Sequence, residues 1–269
     1  MSRRPDYHTP EGIAQRLAEG RGQGRGTSYK PYFTRFDVRS HGERRESYFQ
    51  KPDRGIHFLS RLEFHQCLLA HEDPEIIDIR EQFPLPLLET EAIAEELGIL
   101  HPRYWKTGCH IVMTTDLVFT RRHQSGNEST EAWSAKYADA LRHWRTAEKQ
   151  EIEGCWHKRQ GHSWRIMTEK DVPPTHVSNL AWLHPLRRRD ATHGYPEDLP
   201  MRVDEVMRRL LSERPSELLP SIARECDAIL GFGSRPVSLY FCRYLLAIGH
   251  WRTDLSSWLR DSQPLSLAS

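Results

Sequence analysis

Cysteine is scarce and unpatterned in this chain: five residues, Cys67, Cys109, Cys155, Cys226 and Cys242, are spread over 269 positions. The number is odd and no two form a CxxC pair. Neither a disulfide framework nor a zinc ribbon is therefore written into the spacing, and a reducing, cytoplasmic setting is expected. Cys155, His157 and His162 lie close together, but no second half completes a zinc set; a buried thiol beside surface histidines is expected there. Long apolar runs are also missing. Nothing approaches the roughly 20 residues that span a bilayer, and the Arg-bearing N-terminus carries no apolar stretch of the signal-peptide kind. An excess of one charge is missing too, with 38 Lys and Arg against 37 Asp and Glu. No global basicity advertises nucleic acid. The glycine-rich stretch GRGQGRG (20–26) follows no strand and ends in no Gly-Lys-Ser/Thr, so it is not a phosphate-cradling loop of the Walker type.

Charge is present locally. Residues 1–54 carry 12 Lys and Arg against 7 Asp and Glu, a net of +5, whereas residues 71–100 carry 9 acids against 1 base, a net of −8. A polyanionic substrate would meet the N-terminal segment more readily than the acidic middle. The arginines of GRGQGRG could follow a phosphate chain, or the stretch could be a simple flexible loop.

The length suits one large or two ordinary domains. Thr9-Pro10-Glu11 reads as the cap and first turn of a short helix within residues 5–19. Residues 29–58 alternate aromatic and charged side chains, which predicts two short strands with a turn near His41-Gly42. Ser60 reads as the N-cap of a helix reaching about Ala70, with Glu63 in its first turn, where a carboxylate also complements the helix dipole. IIDIREQ (76–82) reads as a buried strand, and Glu89 to Leu97 as a helix closed by Gly98. A long helix is expected from about Asp139 to Lys158, with Leu141, Trp144, Ala147, Ile152 and Trp156 on one face, and then a strand in SWRIMTEKD (163–171). VPP (172–174) breaks the pattern, and a boundary belongs within 172–200. Three further helices follow, in VDEVMRRLLSE, ELLPSIARECDAIL and VSLYFCRYLLAIG. HWRTDLSSWL, after Gly249, is expected to form a two-stranded wing, and Trp251 and Trp258 to present aromatic surface there.

Between these lies the stretch that carries chemistry. Asp116 sits in HIVMTTDLVFT and Lys136 in EAWSAKYAD, two strand-like runs separated by the polar loop RRHQSGNEST. Neighbouring strands of one sheet would let the two side chains point at a common spot. A carboxylate can hold Mg2+, and an ammonium can orient water and offset phosphate charge. Glu63 could complete the site from a helix packed on that sheet. On spacing alone, the simpler reading is a surface ion pair at a strand end.

The surrounding text changes that balance. AEGRGQGRGTSYKPYFT (18–34), LSRLE (59–63), DIREQFPL (78–85), VMTTDLVF (112–119) and the Ala-x-Lys-like end of the second strand resemble the TnsA family, the endonuclease subunit of heteromeric cut-and-paste transposases. These segments follow one another in the family's order. The resemblance implies a restriction-endonuclease-like, mixed-sheet α/β core over residues 1–172 and a winged-helix-like C-terminal domain over 173–269 for binding a partner protein or, alternatively, DNA. It implies a catalytic Glu63, Asp116 and Lys136, with Mg2+ (or Mn2+ in its place) held by Glu63, Asp116 and the Ala135 carbonyl. Where the family carries Gln two places before the lysine, this chain has Ser134, a shorter and poorer oxygen donor. The implied partners are transposon-end DNA, a TnsB-like recombinase and a TnsC-like ATPase regulator, with cleavage at the 5′ ends of the element. Two other readings remain open at this point: a catalytically degenerate scaffold, and a winged-helix DNA-binding regulator.

Overall fold

A computed structural model describes residues 7–38 and 43–268. The chain divides into two compact units, residues 1–172 and 173–269. In the first unit, α1 (Pro10–Ala18) starts where the Thr9 side chain accepts a hydrogen bond from the Gly12 amide at 3.2 Å, with Pro10 at the first helical position. Its Ile13 packs with Tyr32, Phe33 and Val112. The aromatic stretch that follows supplies a hairpin, β1 (Arg45–Phe49) and β2 (Arg54–Phe58), paired antiparallel. Its turn lies at residues 50–53; His41-Gly42, where a turn was expected, lies outside the described residues.

Then come α2 (Arg61–Glu72), β3 (Ile76–Pro84), α3 (Leu87–Glu96), β4 (Thr114–Arg122), β5 (Glu128–Ala135), α4 (Trp144–Arg159) and β6 (Ser163–Met167). The four strands form one mixed sheet in the order β3-β4-β5-β6, antiparallel except for the parallel β5–β6 pair. A parallel pair needs a crossover, and α4 is that crossover. The expected succession of helix, strand, helix, two strands, helix and strand is what forms.

β3 is an edge strand, and its outward carbonyls must find donors elsewhere. Arg54 Nη2 donates to the Ile79 carbonyl at 3.0 Å, the Tyr29 hydroxyl to Glu81 O at 2.9 Å, and the Tyr32 amide to Gln82 O at 3.1 Å. Arg54 also grips the fully buried Glu81 carboxylate with both guanidinium nitrogens, at 2.9 and 2.5 Å. The GRGQGRG stretch lies against this strand's end. A Cβ on Gly22, at φ +81°, would stand 2.1 Å from Pro84 Cγ, so glycine is required there by both conformation and space. Its arginines are engaged within the fold: Arg21 with Glu19 and Asp37, Arg25 with Glu128.

α4 begins at Trp144 rather than Asp139, after a short 3-10 turn over Ala140–Arg142. Its buried stripe is Gln150, Ile152, Glu153, Trp156 and His157; Trp144 is exposed, contrary to expectation. His157 is likewise no surface histidine. It is buried, with Nε2 2.7 Å from Thr115 Oγ1 and Nδ1 3.1 Å from His162 Nδ1, and burial next to His162 pulls its pKa down to about 3. Cys155 is only partly buried, and all five cysteines are free.

The second unit is helical: α5 (Pro174–Leu183), α6 (Leu199–Glu213), α7 (Leu219–Ile229) and α8 (Val237–Ala247), around a core that includes Leu183, Val203, Met207, Ile222, Phe241 and Leu245. The sequence reading missed one helix here: Pro174, in the VPP segment, is the first residue of α5. The expected wing is absent, with no strand among the described residues beyond Met167. A side chain holds the C-terminal segment instead. Asn179 Nδ2 donates to the carbonyls of Leu255 and Ser257 at 3.0 and 2.7 Å, and its Oδ1 accepts from the Leu259 amide at 3.0 Å. Trp251 is buried, 2% exposed, with its indole N–H on Asp204; of the two tryptophans only Trp258 presents surface. No helix among the described residues is long and apolar enough to cross a membrane.

Candidate active site

Asp116 enters the site from the first half of β4, beside the end of β5, because β4 and β5 pair Leu117 with Trp133. Lys136 lies one residue past β5, yet its amide still donates to Met167 O at 3.1 Å and prolongs the ladder to β6. The two side chains meet: Lys136 Nζ is 2.7 Å from Asp116 Oδ2. The same oxygen accepts the Ala135 amide at 2.7 Å, so Oδ2 is saturated and Oδ1 is left facing away from the lysine. Lys136 Nζ also donates to the Ala135 carbonyl at 3.0 Å and the Ser134 hydroxyl at 3.1 Å. Burial pulls the ammonium down, but Asp116, Glu153 and Glu63 outweigh it and hold its pKa above the usual lysine value.

Glu63 reaches the site from the start of α2. Ser60 caps that helix by accepting the Glu63 amide at 3.2 Å, and the Glu63 carboxylate turns back to take the Ser60 hydroxyl at 2.8 Å and the Leu59 amide at 2.9 Å. Capping and site residue are therefore the same side chain. It is 5% exposed, and burial together with the charge of Asp116 pushes its pKa up to about 8. Ser134 is fully buried, with its hydroxyl 3.5 Å from Asp116 Oδ2 and 3.3 Å from Glu153 Oε2.

Two members of this network were not among the residues singled out from the sequence. Glu153, on the buried stripe of α4, also accepts from Gln150 at 3.2 Å and the Trp164 indole at 3.3 Å; burial raises its pKa to about 7. An acid at the centre of an apolar stripe is the signal that could have found it. Gln82 is the second. Its Nε2 lies 3.3 Å from Glu63 Oε2 and 3.4 Å from Asp116 Oδ1, and its Oε1 accepts from Thr114 Oγ1 at 3.1 Å. Its φ of +47° puts a non-glycine residue in the left-handed region, at a cost of about 1–3 kcal/mol that the surrounding contacts offset. The sequence carries no sign of that conformation.

The donor set suits a hard divalent cation: two carboxylates, of which Asp116 keeps Oδ1 clear of the lysine, and a main-chain carbonyl beside them. It is a sparse set, since no cluster of three or more His, Cys, Asp or Glu side chains gathers as a metal cage among the described residues.

Comparison with known proteins bears on this arrangement. A family model described as the TnsA-like endonuclease N terminal matches residues 73–169, a span that holds Gln82, Asp116, Ser134, Lys136 and Glu153. The chain is also 33% identical over 215 residues to the transposon Tn7 transposition protein TnsA of Escherichia coli, covering 80% of this chain and 76% of that protein. With an aspartate, a lysine and a capping glutamate gathered at one end of a mixed sheet, and with identity of that extent, this chain belongs to the TnsA family.

Proposed function

We propose that the chain is the DNA endonuclease subunit of a TnsA-like heteromeric transposase, cutting the 5′ ends of the element with Mg2+ or Mn2+. A TnsB-like recombinase would act on the 3′ ends, and a TnsC-like ATPase would regulate both. One observation carries this reading: Asp116 and Lys136, twenty positions apart, meet at 2.7 Å in the electrostatic reach of a buried Glu63. A solvated surface pair would not share its aspartate oxygen with a main-chain amide and sit over a second, buried acid.

Glu63, Asp116 and the Ala135 carbonyl would hold the metal. When bound, a divalent ion neutralises charge at the scissile phosphate and acidifies a ligated water. Asp116 can serve through Oδ1, because Oδ2 is already tied to Lys136 and Ala135. Lys136 stays protonated at neutral pH, its pKa being raised, so it is not the base that takes a proton from water. It donates instead, orienting the nucleophile or offsetting charge that grows on the phosphate in the transition state. Burial and the charge of Asp116 hold the Glu63 pKa up at about 8, so the carboxyl favours its protonated form near neutrality and would have to ionise to serve as a ligand. On α4, Arg145, Lys149 and Glu153 recur at four-residue spacing and share a face. Desolvation, Arg145 and Lys136 lower the Lys149 pKa; an exposed cation on this face of α4 would suit flanking phosphates.

The test is cleavage of end-bearing duplex DNA by the assembled complex. Lys136→Ala should bind the ends with its partners as wild type does, yet cut about 100-fold or more slowly. If binding and cutting fall in proportion, Lys136 only docks DNA and the catalytic assignment is wrong. An assembled wild-type complex that never cuts the 5′ strand in Mg2+ or Mn2+ would instead make the chain a scaffold.

A further inference from the structure

Gln82 occupies a particular place in this site. Its amide nitrogen sits between Asp116 Oδ1, the oxygen that Lys136 leaves free, and Glu63 Oε2, at 3.4 and 3.3 Å. Two acids facing one another across a buried gap repel, and the partial positive charge of an –NH2 group eases that repulsion. A cation bridging the same two oxygens would meet this amide first. We propose that Gln82 is itself a metal ligand, its side chain turning so that Oε1, rather than Nε2, faces the gap when a divalent cation is held there. This rests on the metal-dependent nuclease reading above.

Three features support the turn. Thr114 Oγ1 now donates to Gln82 Oε1 at 3.1 Å, and a hydroxyl both donates and accepts, so it can take an N–H from the reversed amide in exchange for the bond it now gives. The backbone of Gln82 is fixed on both sides of the residue. Its carbonyl accepts from the Tyr32 amide at 3.1 Å, and the flanking Glu81 and Phe83 keep their β4 partners, Leu117 and Thr115. That leaves the side chain as the part free to reorient. Finally, Gln82 alone in β3 takes a left-handed φ, +47°, and the residue is 2% exposed, so the fold spends an unusual conformation to hold an amide at this spot. The need for such a donor is visible on the other side of the site. Ser134 offers only a short hydroxyl, already shared among Lys136, Asp116 and Glu153. A neutral amide oxygen from β3 would raise the count of hard oxygen ligands without adding charge.

The role of ligand and the role of mere hydrogen-bond bridge separate on chemistry, because glutamate keeps the oxygen and loses the N–H. Mn2+ affinity of the full-length protein, measured by calorimetric and electron-spin-resonance titration, is the readout, with melting in chelator as a check on folding. Gln82→Leu should weaken Mn2+ binding about tenfold or more. Gln82→Glu should bind Mn2+ at least as tightly as wild type, because an added carboxylate strengthens an oxygen site. If Gln82→Glu binds as weakly as Gln82→Leu, or if Gln82→Leu binds as tightly as wild type, Gln82 is only a bridge and the inference falls. Asp116→Ala separates this from the wider reading. Wild-type binding that needs Asp116 but is indifferent to position 82 overturns only the Gln82 proposal. Absence of any Mn2+ binding by wild type overturns both.

Discussion

At the scale of single residues, the site sets two acids against each other, a repulsion that a bound cation or a proton on Glu63 relieves. Glu63 is buried beside Asp116, and its pKa of about 8 stands well above the ordinary 4.5. Glu153, at about 7, is shifted the same way. For an acid whose folded pKa is raised, the folded state binds the proton more tightly than the unfolded chain. Its stabilising effect is complete below about pH 4.5 and is lost as pH climbs toward 8. In chelator, the melting temperature of the protein should therefore fall between pH 5 and pH 8, by several degrees. The slope is bounded at about 1.4 kcal/mol per pH unit for each such proton. Glu63→Gln should flatten that fall, and saturating Mn2+ should reverse it. A wild-type melting temperature that rises steadily from pH 5 to 8 in chelator would show that Glu63 is ionised without metal. The strands that carry Asp116 and lead to Lys136 were legible from their apolar runs, but on spacing alone the two read as a surface ion pair, and it is the resemblance of the surrounding segments that joined them into a site. Gln82 was not, because its role depends on a backbone conformation no residue pattern announces, and because both acids it bridges come from other elements.

At the scale of elements, the glycine-rich stretch shows how a loop can be misread from composition. GRGQGRG has the arginines of a phosphate-binding segment and the glycines of a flexible one, but it is fitted against the end of β3, two residues from Gln82. The contact at Gly22 and the open space at Gly20 make a matched pair, since both have φ near +80° but only Gly22 faces Pro84. Gly20→Ala should cost about 1 kcal/mol, the penalty of a left-handed Cβ alone. Gly22→Ala should cost appreciably more, because Pro84 must move, and should reduce cleavage beyond its effect on stability by displacing Gln82. Equal losses from the two variants in denaturant melts would mean the loop is not seated as described. The helices tell a similar story. α2 and α3 were legible from Ser60 and Gly98, which cap them. α5 was not, because two prolines read as a break, when the second of them is a helix-starting residue followed by Val177, Leu180 and Leu183 on one buried face.

At the scale of the whole molecule, the chain divides into two compact units. A core cluster of the second is drawn from residues 182–267, and the sheet of the first closes at Met167. Fragments 1–172 and 173–269 should each melt cooperatively when made separately, and the first should keep the Mn2+ affinity of the full chain. A first fragment that is unfolded, or that has lost its metal affinity, would show the units to be interdependent. We propose that the second unit recruits the partner proteins, as the family resemblance implies, without Trp251, whose indole is spent inside the fold. The sequence by itself determined the order of elements in the first unit, the caps of α1 and α2, and the acid and lysine at the ends of adjacent strands. Those features are set by local patterns of apolar side chains, turn formers and capping groups. Only the tertiary structure decided that Asp116 spends one oxygen on Lys136 and Ala135 and turns the other toward Gln82, that Glu153 approaches from a helix, and that an asparagine stands in for a wing. Each of these depends on contacts between segments distant in the chain, whose geometry is fixed by how the elements pack and not by any residue's neighbours in sequence.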